Sequence, residues 1–180
     1  EVLLAVAPST DRTREIAEQM AAEDPRIVVL DNPTGATPAG LNVAIDAARY
    51  DVVVRVDGHG ELSEGYIATA VRLLEETGAA NVGGLMDAQG FSPFSEAVAA
   101  AYNSRLGLGG GGFHLENTPA GPADTVFLGV FRRDALRDVG DELEDLAGTE
   151  ATTRRDQAPR CRRGRRYLAK PAVILRHSHR

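Results

Sequence analysis

Asp57, Gly58 and His59 close the apolar run Val52-Val53-Val54-Arg55-Val56. A carboxylate and an imidazole two residues apart, joined through a glycine, can turn onto one divalent cation. A cation there neutralises a diphosphate, which points to chemistry on a nucleotide-activated substrate. Strand carboxyl ends are where α/β sheets bind ligands, so the position suits the residues. A simple turn also explains Asp and Gly at a strand end. Glu61 follows two residues later and either assists or faces solvent.

Other polar groups recur at the ends of apolar runs. Ser9-Thr10-Asp11-Arg12-Thr13 follows the first such run. Its hydroxyls and carboxylate either cap a helix or contact a nucleotide. Asn103-Ser104-Arg105 leads into Gly107 to Gly112, five glycines in six residues. That stretch lacks the lysine and spacing of a P-loop, so flexibility or close substrate approach remains. His114 reads as a loop residue. Asp124-Thr125 precedes the run Val126–Phe131, and Arg132-Arg133 follows it. The arginines suit an anionic donor or acceptor, or they cap a helix and pair at the surface. No G-x-S-x-G is present, and Cys161 lies among arginines with no base nearby. The Cys and His residues are too few for a structural zinc.

The elements that must position these groups follow from periodicity. Strands are expected at Val2–Val6, Ile27–Leu30, Val52–Val56, Asn81–Met86, Val126–Phe131 and Ala172–Leu175. A helix capped by Ser9 or Asp11 carries Ile16, Ala17 and Met20 on one face. Others are expected from about Pro38 to Arg49, after Ser63 with Tyr66, Ile67, Ala70, Val71 and Leu74 inward, from about Phe94 to Tyr102, and over Arg133–Val139. Gly78 suits a left-handed helix end. Residues 103–122 read as one loop, and 141–170 show no clear period. Strand–helix alternation predicts a mostly parallel sheet with right-handed crossovers.

At 180 residues and 43% apolar the chain is expected to form one domain. One cysteine excludes an internal disulfide and fits a reducing compartment. No apolar run reaches the ~20 residues of a membrane span. The net charge of −6 hides a split, with −15 over residues 1–150 and +9 over 151–180. The basic stretch Arg154 to Arg166 could meet nucleic acid or anionic lipid, or stand in solvent. Only Tyr167 could stack on a base, so no nucleic-acid partner is expected.

Taken together, these residues resemble the family 2 glycosyltransferases, which have a GT-A fold. The resemblance runs through Ser9-Thr10-Asp11-Arg12-Thr13, Asn32-Pro33, Gly40-Leu41-Asn42, Arg55-Val56-Asp57-Gly58-His59, Asn81-Val82-Gly83-Gly84, the Asn103–Gly112 loop and Asp124-Thr125 through Arg132-Arg133. Succinoglycan-biosynthesis-type enzymes are similar, carrying Asp-x-His where relatives carry Asp-x-Asp. The resemblance implies an α/β GT-A-like domain, three-layer α/β/α with a mostly parallel sheet, over residues 1–140. Its N-terminal strand is missing, and 141–180 is a divergent basic segment. It implies a metal-dependent, inverting transfer of a sugar from a nucleotide-diphosphate donor to a growing polysaccharide or lipid-linked glycan. Ser9, Asp11, Asn42, Asp57 and Gly84 would bind the nucleotide sugar. Asp57 and His59 would hold Mg²⁺ or Mn²⁺, and Asp124, Arg132 and Arg133 would border the acceptor. A carboxylate must take the acceptor proton. By spacing to the downstream arginines Asp156 falls at that place, with Asp145 second; the family's Glu-Asp-x-Glu-Leu segment itself is not legible. A cytoplasmic location with peripheral contact at the inner face of the membrane is implied by family alone. A rival expectation is an inactive remnant with weak nucleotide or glycan binding. A sugar-nucleotide pyrophosphorylase would start with a glycine-rich basic loop, which is not visible.

Overall fold

The structure is a computed structural model that describes residues 1–58, 60–105, 115, 118–122, 126–139 and 166–176, with residues 138, 139 and 166–176 as backbone alone. Two compact units are present, one holding Glu1–Asp51 and the other Val52–Ala135 with the final strand.

The first unit runs β1 (Val2–Val6), α1 (Thr13–Glu23), β2 (Ile27–Asp31), α2 (Thr37–Ala47). β1 and β2 pair in parallel from Val2↔Ile27 to Val6↔Asp31, as the alternation predicts. The connection from β2 to α2 is built on Asn32. Its carbonyl oxygen Oδ1 accepts from the Thr34 hydroxyl, and its Nδ2 donates to the Ala36 carbonyl at 3.0 Å. Gly40 is required because a Cβ there would sit 2.7 Å from Asn32 Nδ2. The expected apolar face of α1 is only partly inward. Ala17 is buried, whereas Ile16 and Met20 are 49% and 44% exposed. A two-stranded sheet is too narrow to cover a full helical face.

In the second unit lie β3 (Val52–Val54), β4 (Gly60–Leu62), α3 (Tyr66–Thr77), β5 (Asn81–Gln89), α4 (Pro93–Tyr102), β6 (Gly121–Pro122) and β7 (Phe127–Arg132). α5 (Arg133–Val139) follows, and β8 (Arg166–Arg176) completes the sheet. The strand order is β3-β7-β5-β8-β4, with β6 on β8. Here the expectation of a mostly parallel sheet is corrected. Among the described residues of this sheet only β5 and β8 pair in parallel; β3–β7, β5–β7, β4–β8 and β6–β8 are antiparallel. α4 does not return the chain to the N-terminal end of β5, as a parallel crossover would require. Its C-cap Asn103 returns to Ala88, accepting from the Ala88 N–H at 3.0 Å and donating to its carbonyl at 2.9 Å. The end of α4 is thereby held beside Ala88, and β7 runs antiparallel to β5, with Phe127 opposite Gly84 and Phe131 opposite Asn81.

The core of this unit joins Tyr66, Ala70 and Leu74 of α3 to Ala79, Val82, Leu128 and Val130. Ile67 is 48% exposed, outside the inward row predicted for it. Ser63 does not cap α3. Gly65, at φ +74°, occupies the N-cap, and the Ser63 Oγ has no hydrogen-bond partner among the described residues. Gly78 ends the helix at φ +64°, as expected. α4 starts with a capping box in which the Ser92 Oγ accepts from the Ser95 N–H and the Ser95 Oγ accepts from the Ser92 N–H. β3 is shorter than the β-branched run suggests, because Val56 is already half exposed beyond the last ladder pair. β8 is longer than the expected Ala172–Leu175. Its pairing with β5 jumps from Gly83↔Leu168 to Leu85↔Ala172, and the residues passed over include Pro171, which has no N–H to give a ladder.

Candidate functional site

The first unit holds three of the expected donor-binding residues. Asp11 Oδ1 accepts from the Thr13 N–H and from the Ser9 hydroxyl, both at 2.9 Å. Ser9 and Asp11 thus form a turn just before α1, whose N-cap is Arg12 with no side-chain cap, so the expected capping by Ser9 or Asp11 is not realised. Asn42 lies on α2 with its Oδ1 buried and without a hydrogen-bond partner among the described residues. An orphaned buried acceptor carries a desolvation cost.

The second unit carries Asp57 just beyond β3. The Arg55 N–H still reaches the Gly129 carbonyl of β7 at 3.1 Å, and the Gly60 N–H closes a turn onto the Asp57 carbonyl at 2.8 Å. The turn is tight at Gly60, where a Cβ would lie 3.2 Å from that same carbonyl and from Leu128 Cδ1. The Asp57 carboxylate meets the Arg55 guanidinium, Nε to Oδ1 at 3.0 Å and Nη2 to Oδ2 at 3.4 Å. Both side chains are about three-quarters buried, at 25% and 24% exposure. Sequence reasoning missed this pair; the signal was the i, i+2 spacing, which puts both side chains on one side of an extended segment.

A cation fits the donor set in kind, because a carboxylate oxygen and an imidazole nitrogen both suit Mn²⁺, and the oxygen suits Mg²⁺. His59 lies outside the described residues. Among the described residues no three His, Cys, Asp or Glu side chains cluster as a metal site. Asp124, Asp145 and Asp156 also lie outside them. Glu61 is exposed in β4.

Gly84 and the arginines are engaged within the fold. The Gly84 N–H donates to the Tyr66 hydroxyl at 3.2 Å, and that hydroxyl donates to the Leu128 carbonyl at 2.8 Å. These bonds fill the break in the β5–β7 ladder between Val82 and Gly84. Burial pushes the Tyr66 phenol up to about 12. Arg132 donates from Nη2 to the Leu74 carbonyl at 2.6 Å and from Nε to the Ala79 carbonyl at 3.1 Å. It closes the C-terminal end of α3, where cations are favoured. Arg133 is half-buried as the first residue of α5.

Comparisons with known proteins give a family model, a sequence relative and structures of like fold. The family model for Glycosyl transferase family 2 matches residues 1–140. Succinoglycan biosynthesis protein ExoA of Rhizobium meliloti (strain 1021) is 37% identical over 151 residues, covering 83% of this chain and 46% of that protein. The chain therefore spans about half the length of this relative. Crystal structures of S. aureus TarS 1-349 share the fold. One has a TM-score of 0.60 at 14% identity, covering 97% of this chain and 50% of that one. Another, in complex with UDP-GlcNAc, has a TM-score of 0.57 at 15% identity, covering 99% and 50%. With the family match over residues 1–140, an α/β fold shared with these structures and Asp57 presented at a strand end, the chain belongs to glycosyl transferase family 2.

Proposed function

We propose that this chain is the donor-binding part of an inverting, metal-dependent glycosyltransferase that builds a polysaccharide or lipid-linked glycan. The transferase domain is assigned to residues 1–140, with the basic segment 141–180 adding β8. The carrying observation is Asp57, a carboxylate held by Arg55 at the end of β3. The UDP-GlcNAc bound by TarS supports a nucleotide sugar as the donor class.

In this reading Asp57 and His59 hold Mg²⁺ or Mn²⁺, which when bound offsets charge on the departing diphosphate. Ser9, Asp11, Asn42 and Gly84 line the donor side; Asp124, Arg132 and Arg133 border the acceptor, Arg132 by fixing the end of α3. The acceptor hydroxyl oxygen forms a bond to the anomeric carbon as Asp156, or Asp145, takes its proton. The bond from that carbon to the diphosphate breaks, and the nucleoside diphosphate leaves with the electron pair. The work takes place at the cytoplasmic face of a membrane. Peripheral contact with that face is the mode proposed; within the described residues no helix is long and apolar enough to cross a membrane.

The test is donor hydrolysis over a panel of nucleotide sugars with Mn²⁺, with EDTA, and with His59→Ala. Metal-dependent release of nucleoside diphosphate, lost in the variant, is expected. Binding without turnover in any arm would replace this reading with that of a binding remnant.

A further inference from the structure

We propose that Arg55 is the positioning residue of the donor site, setting the rotamer and the charge with which Asp57 meets its ligand. The inference rests on the reading of Asp57 as a donor ligand and adds how that carboxylate is prepared.

Both residues are anchored by backbone. The Arg55 N–H is tied to the sheet through the Gly129 carbonyl, and the Asp57 carbonyl accepts from the Gly60 N–H, so both main chains are held by a backbone hydrogen bond. The side chains then meet in a fork, Nε on Oδ1 and Nη2 on Oδ2. A planar guanidinium fixes the carboxylate plane, which a lysine point charge does not. Each carboxylate oxygen gives one lone pair to Arg55 and keeps another for an incoming hydroxyl or cation.

The pair is also close to neutral in charge. A divalent ion approaching alone meets a compensated carboxylate and is held weakly. A diphosphate brings the negative charge that the site lacks. Cation and nucleotide are therefore taken up together, and Arg55 enforces that coupling.

Calorimetry on the parent chain, Arg55→Gln, Arg55→Lys, Asp57→Asn and the Arg55→Gln/Asp57→Asn double variant decides the matter. Each is titrated with Mn²⁺ alone and with nucleoside diphosphates in Mn²⁺, after circular dichroism confirms folding. Arg55→Gln is expected to weaken nucleotide binding on the order of 10- to 100-fold, the scale of lost outer-shell partners. It is expected to tighten Mn²⁺ alone, and Arg55→Lys is expected not to restore the nucleotide. In the Asp57→Asn background Arg55→Gln should change nothing further, since Arg55 acts on the ligand through that carboxylate. Additive losses, full rescue by lysine, or unchanged nucleotide binding overturns the proposal. If Arg55→Gln does not fold, Arg55→Lys in the two Asp57 backgrounds draws the same distinction. A parent chain that binds no nucleotide overturns the functional reading as well, whereas a binding parent with an additive cycle removes Arg55 alone.

Discussion

Tyr66 donates its phenolic hydrogen to the Leu128 carbonyl across 2.8 Å, from a side chain only 1% exposed. Leu128 is in the left-handed region at φ +41°, the one non-glycine residue there among the described residues. Its carbonyl and the Gly84 N–H face the ladder break, and the phenol satisfies both. Tyr66→Phe keeps the ring and orphans two buried backbone groups. Urea denaturation should show a loss of about 1–3 kcal/mol, with the fold retained by circular dichroism.

The same phenol sets an alkaline limit. Its folded value of about 12 lies above the ordinary 10.0, because burial disfavours the phenolate. The folded state therefore prefers the neutral form. Stability from this group is intact below the ordinary value and is lost as pH rises from there towards the folded value. Absorbance titration near the phenolate band should show one late-ionising tyrosine that disappears in Tyr66→Phe.

Gly83 is a packing requirement. A Cβ there would lie 2.5 Å from Val126 Cβ and 2.7 Å from the Phe127 carbonyl. Backbone cannot give way as a flexible side chain can. Gly83→Ala should destabilise by about 1–3 kcal/mol and lower the thermal midpoint. A neutral result would show that β7 moves away from β5 without loss.

Arg132 closes α3 through the Leu74 and Ala79 carbonyls. Arg132→Ala should cost about 1.5–3 kcal/mol in denaturant unfolding, the range for hydrogen bonds to charged groups. Arg132→Lys should recover only part, since one ammonium cannot repeat the two-point fork. Full recovery would show that charge at the helix end, not geometry, is what counts.

Much of the first unit was readable because its signals are local. β1 from Val2 to Val6, the Asn32-Pro33 stop and the α2 periodicity each reside within a few residues. Gly78 was readable for the same reason. What escaped depends on distant partners. The direction of β7 is seen only in its pairing with Val52–Val54 and with Asn81–Gly84, and no short window along the chain contains these partners. Ser63 carried a capping signal, but Gly65 stood closer to the first helical turn and took the place. Arg132 offered two readings at the sequence level, and only the position of the Leu74 carbonyl selects helix closure. Asp57 was singled out by its place after the valine run, whereas its pairing with Arg55 was not, because Arg55 looks like an interruption in that run.

β8 is an interior strand of the larger sheet, pairing with β5, β4 and β6. Its residues leave the ribosome after every other described strand of that sheet. Until residue 176 has been released, β4 lacks the neighbour it pairs with, so that sheet closes only after synthesis has passed this point. Such long-range pairing is slow, and the waiting intermediate presents the open edge of β5 to chaperones and to other nascent chains.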